Sequence, residues 1–167
     1  MNFPPQLTAN TVRLWSFGKL TVSKNTQRLK ANAMGFYPLR GESSIYFASD
    51  SKQESFIEFL KELRERNREY KVIVVILDNF KTHHGSKVKE EAEKLGIRLV
   101  YLPPYAADLN PIEFIWKSIK RVISISFVKE LAALRELIKD WFLRLAKQLS
   151  FAHAWIQRFL PYMEFCK

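Results

Sequence analysis

Val72-Ile73-Val74-Val75-Ile76-Leu77-Asp78 is a run of six aliphatic residues ended by a carboxylate. Its length suits one strand and is far too short to cross a membrane. The lack of alternation predicts a strand covered on both faces. Downstream, Val88, Ala92 and Leu95 fall on one side of a predicted helix over residues 86–95, and Gly96 stops it. A second strand follows over residues 97–102, and Pro103-Pro104 ends it. Strand, helix and strand at this spacing predict a right-handed crossover with parallel strands.

Upstream, residues 28–37 and 43–48 read as an antiparallel hairpin around Pro38-Leu39-Arg40-Gly41. A helix is expected over residues 52–68, with Phe56, Phe59, Leu60 and Leu63 on its apolar face. Beyond the double proline, helices are predicted over residues 111–124, 129–149 and 151–160. The third-from-last buries Ile112, Ile115, Ile119, Val122 and Ile123. The next carries Leu134, Ile138, Trp141, Phe142 and Leu145. Residues 1–27 carry a weaker strand-and-turn pattern around Trp15, Phe17 and Gly18. No linker interrupts the chain, so residues 1–167 are expected to form one α/β domain with a helical extension from about 128 onward.

Composition narrows the chemistry. The 167 residues include 27 Lys and Arg against 17 Asp and Glu, a net charge of +10, which favours a polyanionic partner such as nucleic acid. A single cysteine excludes an intramolecular disulfide framework and a cysteine-built zinc site. With no apolar leader and no membrane span, the chain reads as intracellular, with no membrane partner.

In open α/β sheets, ligands bind beyond the carboxyl ends of the parallel strands. Asp78 follows the first such strand, and Glu113 opens the helix after the second, with 34 residues between them. The crossover therefore brings both to one sheet edge. For Asp78 the competing reading is a strand-ending turn with Asn79. For Glu113 it is an Asn-x-x-Glu capping box, with Asn110 as N-cap and Pro111 at the first helical position. Lys117 and Lys120 project within about 40° of Glu113 at roughly 100° per residue, either as a solvated face or as phosphate contacts. Two carboxylates beside cations suit Mg²⁺, which needs only one or two protein carboxylates plus substrate phosphate. Trp116 lies beside the apolar face and is expected to pack rather than stack on a base.

Leu77-Asp78-Asn79-Phe80-Lys81-Thr82-His83 and Leu102-Pro103-Pro104-Tyr105-Ala106-Ala107-Asp108-Leu109-Asn110-Pro111-Ile112-Glu113, with Trp116 and Lys120, resemble transposases of the mariner superfamily, in their prokaryotic insertion-sequence branch. Arg13, Trp15 and Gly18 resemble the family's upstream hairpin motif. The resemblance covers roughly residues 11–125. It implies an RNase H-like mixed sheet flanked by helices. It also implies a DDE-type centre with Asp78 as second carboxylate, Glu113 as third, and Mg²⁺ or Mn²⁺ as cofactor. Transposon ends and target DNA are the implied partners. His83, Asn79, Asp108 and Asn110 are expected to shape the site or support its ligands.

The family's first aspartate has no counterpart in register, because no Asp or Glu precedes Glu42. Asp50 is a poor substitute, since with Ser49 it reads as a helix N-cap. The expectation is therefore a truncated or split transposase lacking the first strand. Its open edge at residues 28–37 would invite a homodimer or pairing with a full-length transposase. The rival expectation is a non-catalytic DNA-binding remnant or regulator. A nucleotide-binding domain fits poorly, since residues 78–85 match no glycine-rich phosphate loop. A cytoplasmic, nucleoid-associated location follows from the same reading.

Overall fold

The computed structural model describes residues 2–3, 29–106 and 109–160. The strands are β1 (Asn2–Phe3), β2 (Asn32–Phe36), β3 (Ser44–Ala48), β4 (Ile73–Leu77) and β5 (Ile97–Tyr101). The helices are α1 (Gln53–Arg66), α2 (Ser86–Lys94), α3 (Ile112–Ile125), α4 (Leu131–Ala146) and α5 (His153–Phe159). A 3₁₀ turn, Lys81–His84, precedes α2, and another, Leu149–Phe151, precedes α5. The predicted elements are present, with ends trimmed by a few residues. The motif around Arg13, Trp15 and Gly18 lies outside the described residues.

The strands form two sheets. β1, β2 and β3 are antiparallel, with Met34 opposite both Asn2 and Tyr46. β4 and β5 are parallel, in register from Ile73–Ile97 to Leu77–Tyr101. The hairpin and the crossover are thus as expected, whereas β2, expected as an open edge, is the middle strand of its sheet because β1 pairs with it at Ala33 and Met34. The architecture is α/β and mixed, but β2 and β4 are not hydrogen-bonded to each other. A cleft of about 430 Å³ lies between them.

Two apolar clusters hold these layers. One packs α1, α2, β4 and β5 against the Met34 and Ala48 side of the hairpin, through Phe56, Phe59, Leu60, Leu63, Val75 and Val88. The other packs α3 and α4 against Ala31 and Ala33, with Trp116, Ile119, Leu134 and Phe142 at its centre. The hairpin is therefore clamped between helices on both faces.

The expectation that residues 72–77 are covered on both faces needs correction. Ile73, Val75 and Leu77 are buried, whereas Val72, Val74 and Ile76 are 47%, 56% and 38% exposed. The reason is the layering: α1 and α2 cover one face of β4, while α3 and α4 pack on the hairpin.

Two close fits fix the hairpin. Asn67, buried at the end of α1, accepts the Glu42 N–H at 2.8 Å and donates to the carbonyls of Glu42 and Leu63. This ties the turn, where Gly41 has φ +96°, to the helix. At Gly35, a Cβ would lie 2.5 Å from the Phe142 ring and 2.7 Å from the Trp116 ring. Those rings stack on each other with centroids 4.9 Å apart and are fully buried, so neither can yield cheaply. Gly35→Ala is predicted to cost about 1–3 kcal/mol, as overpacking does elsewhere. A urea unfolding midpoint unchanged by that substitution would contradict the packing described.

Candidate active site at the β4–β5 edge

The site is assembled by the parallel pair. The Leu102 N–H donates to the Leu77 carbonyl at 2.8 Å, holding the segment after β5 against the end of β4. Asp78 is the next residue along β4. From Leu102 the chain turns through Pro103-Pro104-Tyr105 and enters α3. Tyr105 is fully exposed at φ +62°, a left-handed conformation that L side chains rarely adopt. Leu77 and Ile112, neighbours of Asp78 and Glu113, both line the cleft between β2 and β4.

His83 organises Asp78. Its ring is 2% exposed and packs on Phe56 with centroids 4.2 Å apart, with Phe80 edge-on at 5.6 Å. Its Nδ1 lies 3.2 Å from Asp78 Oδ1, a close contact without hydrogen-bond alignment. The Tyr101 hydroxyl donates to the His83 carbonyl at 2.7 Å. Beside it, His84 Nε2 contacts Asn79 Oδ1, and the His84 ring stacks on Tyr101 at 4.1 Å. The sequence marks Phe56 only as an apolar-face residue of a helix and Tyr101 only as part of a strand. Each occupies a core position whose alternation gives no hint of a supporting role.

The expected capping box does not form. α3 begins at Ile112, no side chain caps it, and Pro111 is already helical at φ −57°, ψ −27°. The Asn110 carbonyl, rather than its side chain, accepts the Glu113 N–H at 3.0 Å. Proline has already set the first helical torsions. Glu113 Oε1 is buried and makes no hydrogen bond, and the same holds for Asp78 Oδ1. Glu113 thus keeps a desolvated oxygen with no hydrogen-bond donor, an unfavourable state unless a cation meets it, whereas Asp78 Oδ1 has the His83 ring nitrogen beside it.

Asp78 and Glu113 lie within electrostatic reach of each other. Burial pushes the Glu113 carboxyl above its ordinary range. Lys120 pulls it down, and the negative charge of Asp78 pushes it up again. Burial also opposes ionisation of Asp78, but contact with His83 works the other way, and its net position is below the ordinary value. Burial is the leading influence on both groups, and the His83 contact is what sets Asp78 apart.

The remaining expected residues fall as follows. Lys117 and Lys120 are exposed on α3. Trp116 is fully buried and packs, as expected. Asn110 is buried, and Asp108 lies outside the described residues. Asp50 is not the N-cap of α1, which is Lys52. Its Oδ1 accepts the Lys52 N–H at 3.1 Å and the Ser55 hydroxyl at 2.7 Å, since the chain needs one more residue before the helix begins. Among the described residues, no group of three or more His, Cys, Asp or Glu side chains is placed to hold a metal ion.

The profile of the DDE superfamily endonuclease family matches residues 6–135. The chain belongs to the DDE superfamily endonucleases. Solved structures agree in fold. The catalytic domain of Mos1 mariner transposase superposes with a TM-score of 0.60 at 14% identity, covering 81% of this chain and 77% of that one. The Mos1 transposase paired-end complex with left transposon end gives 0.64 at 16% identity, covering 90% and 46%. The Mos1 strand transfer complex gives 0.61 at 14%, covering 94% and 51%. The chain thus spans about half the length of the transposase chains in those two complexes. The likeness establishes the RNase H-like fold. No curated protein sequence matches the chain. Among the described residues, no helix is long and apolar enough to cross a membrane.

The raised Glu113 pKa carries a stability consequence. A carboxyl whose folded-state pKa exceeds its unfolded value disfavours folding above that pKa, and the effect vanishes below the unfolded value near 4.5. Glu113→Gln is therefore predicted to raise the melting temperature at pH 7, with the gain disappearing below about pH 4.5. Thermal melts at stepped pH check this. A gain that persists unchanged at pH 3.5 would point to packing instead of charge.

Proposed function

We propose that this chain carries the second and third carboxylates of a DDE transposase centre, Asp78 and Glu113. In this reading it works in phosphodiester hydrolysis at transposon ends and in the strand transfer that follows. The observation that carries it is the placement of two half-buried carboxylates at the carboxyl edge of β4 and β5, Asp78 beside the His83 ring and Glu113 with one oxygen that meets no hydrogen-bond donor. They suit a hard divalent cation, which takes oxygen ligands and completes its shell with water and substrate phosphate. Asp78 and Glu113 would hold Mg²⁺ or Mn²⁺, and the bound ion would offset charge on the attacking and leaving oxygens of an in-line displacement.

The protein's own groups supply the rest. The His83 contact favours the ionised form of Asp78, and Phe56 and Phe80 pack on the His83 ring that makes it. Tyr101 holds the turn that carries His83. Lys117 and Lys120 extend the site along α3 and would grip phosphates on either side of the scissile bond. The net charge of +10 supports DNA as partner, both transposon end and target. The Mos1 neighbours include assemblies with transposon ends and a catalytic-domain structure with Mg. The insertion-sequence affinity, a homodimer or full-length transposase as partner, and a nucleoid-associated location belong to this same proposal.

A second reading has its own support. With no third ligand among the described residues, the chain would bind DNA and modulate a complete transposase without cutting. Plasmid nicking with Mn²⁺ separates the two. Catalysis predicts metal-dependent nicking that drops at least about 100-fold in Asp78→Asn, because several kcal/mol of charge stabilisation leaves with the ligand. Nicking indifferent to that substitution, or salt-sensitive binding with no nicking at all, would overturn the catalytic reading for this chain.

DNA affinity provides a separate check. The double substitution Lys117→Ala/Lys120→Ala should weaken binding alike on all sequences and flatten the log–log salt dependence by about 1–2 units. An unchanged slope would remove both lysines from the interface.

A further inference from the structure

Among the described residues, the exposed aromatic side chains are Phe80, Tyr105, Phe114, Phe127 and Phe159. Three of these five stand beside the two carboxylates. Phe80 is two residues past Asp78, and Phe114 adjoins Glu113. Tyr105 sits in the turn that leads from β5 to α3, three residues past Leu102, whose N–H donates to the Leu77 carbonyl. Counted from Asp78, Glu113 and Leu102 in turn, at about 3.8 Å per residue, each ring's backbone lies within roughly 11 Å.

The core does not account for these rings. Tyr105 holds a φ of +62°, costly for a bulky L residue, and its full exposure means that no packing offsets the cost. Phe114 is 50% exposed, whereas Ile112, Ile115 and Trp116 around it on α3 are buried. At about 100° per residue, Phe114, Lys117, Ser118 and Arg121 fall on one stripe of α3, and both cations are exposed on it. Charged residues are depleted at the centre of protein–protein interfaces, so rings interleaved with cations fit such a partner poorly. They fit single-stranded nucleic acid, where aromatic faces stack on bases and cations follow the backbone.

We propose that Phe80, Tyr105 and Phe114 form a stacking rim at the site, and that the DNA it takes has unpaired bases next to the scissile phosphate. The rings receive base faces, and Lys117 and Arg121 receive the phosphates that follow along α3. The selectivity is for the form of the DNA and not for its sequence, because every base offers a face to stack on. A frayed end, a fork or a tail is preferred over a continuous duplex, whose bases already stack on one another. The inference rests on the proposed function for the position of the cut, and it adds the form of DNA that the site accepts. It is read from binding alone.

The test is metal-free binding of the full chain to two DNAs. One is a blunt duplex. The other is the same duplex with a short unpaired tail carrying 2-aminopurine, whose fluorescence falls when a ring stacks on it. The tailed duplex should bind at least about fivefold more tightly, with quenching. Tyr105→Gly, which suits the left-handed backbone, and Phe114→Ala should each weaken the tailed duplex by about 5- to 150-fold and relieve the quenching. Both should leave blunt-duplex affinity and the salt slope unchanged, since no phosphate contact is lost. Phe114→Trp should retain the preference. Equal affinity for the two duplexes would overturn the proposal and leave DNA as the partner. A tail preference that survives both substitutions would overturn it too. So would a concentration-dependent dimer that Phe114→Ala dissolves, since the rings would then cover a second copy. Binding to neither DNA would remove this inference and the DNA partner together. Because no bond is cut, a tail preference can stand where nicking fails, and nicking can occur without one.

Discussion

The parallel pairing of β4 with β5 is the constraint on which the site depends. Five residue pairs in register, extended by the Leu102–Leu77 hydrogen bond, bring the end of one strand beside the start of the next segment. Nothing local in either motif would bring Asp78 near Glu113, since 34 residues separate them. The crossover through α2 does so because its buried face, Val88 and Ala92, seats the helix on β4 and β5. A slip of one residue in that register would turn the buried side of β4 outward.

A second constraint holds Glu113. α3 is anchored by Trp116, three residues further along the helix, whose ring stacks on Phe142 above the bare backbone of Gly35. Position 35 must lack a side chain for α3 and α4 to approach the hairpin this closely. The site thus rests on two bodies. One, built on β4 and β5, carries Asp78 with its His83 support. The other, built on the hairpin with α3 and α4, carries Glu113. The cleft lined by β2 and β4 lies between them.

Much of this was legible in the chain. The aliphatic run before Asp78, the glycine stop at Gly96 and the helical stripe of Phe56, Phe59, Leu60 and Leu63 each have one dominant physical reading, and tertiary packing agrees with it. Asp78 and Glu113 stand out as candidates because topology places strand ends together. Other features were not legible. Val74 and Ile76 have the composition of a doubly buried strand, and only the layering shows that one face lacks a partner. Asn110 and Glu113 have the spacing of a capping box, yet Pro111 takes up the helical conformation first and leaves the carboxylate without a hydrogen bond. The roles of Phe56 and Tyr101 follow from contacts with His83, and no local pattern encodes a contact between distant elements.

The central claim is that Asp78 and Glu113 together form a divalent-cation site. Paramagnetic broadening of backbone amide signals during a Mn²⁺ titration reads it directly. The account predicts that amides around Asp78 and Glu113 broaden first and together, and that Asp78→Asn removes the effect at both. Broadening that starts at the exposed carboxylates of α1 and α2, or that reaches Glu113 undiminished in Asp78→Asn, would contradict it.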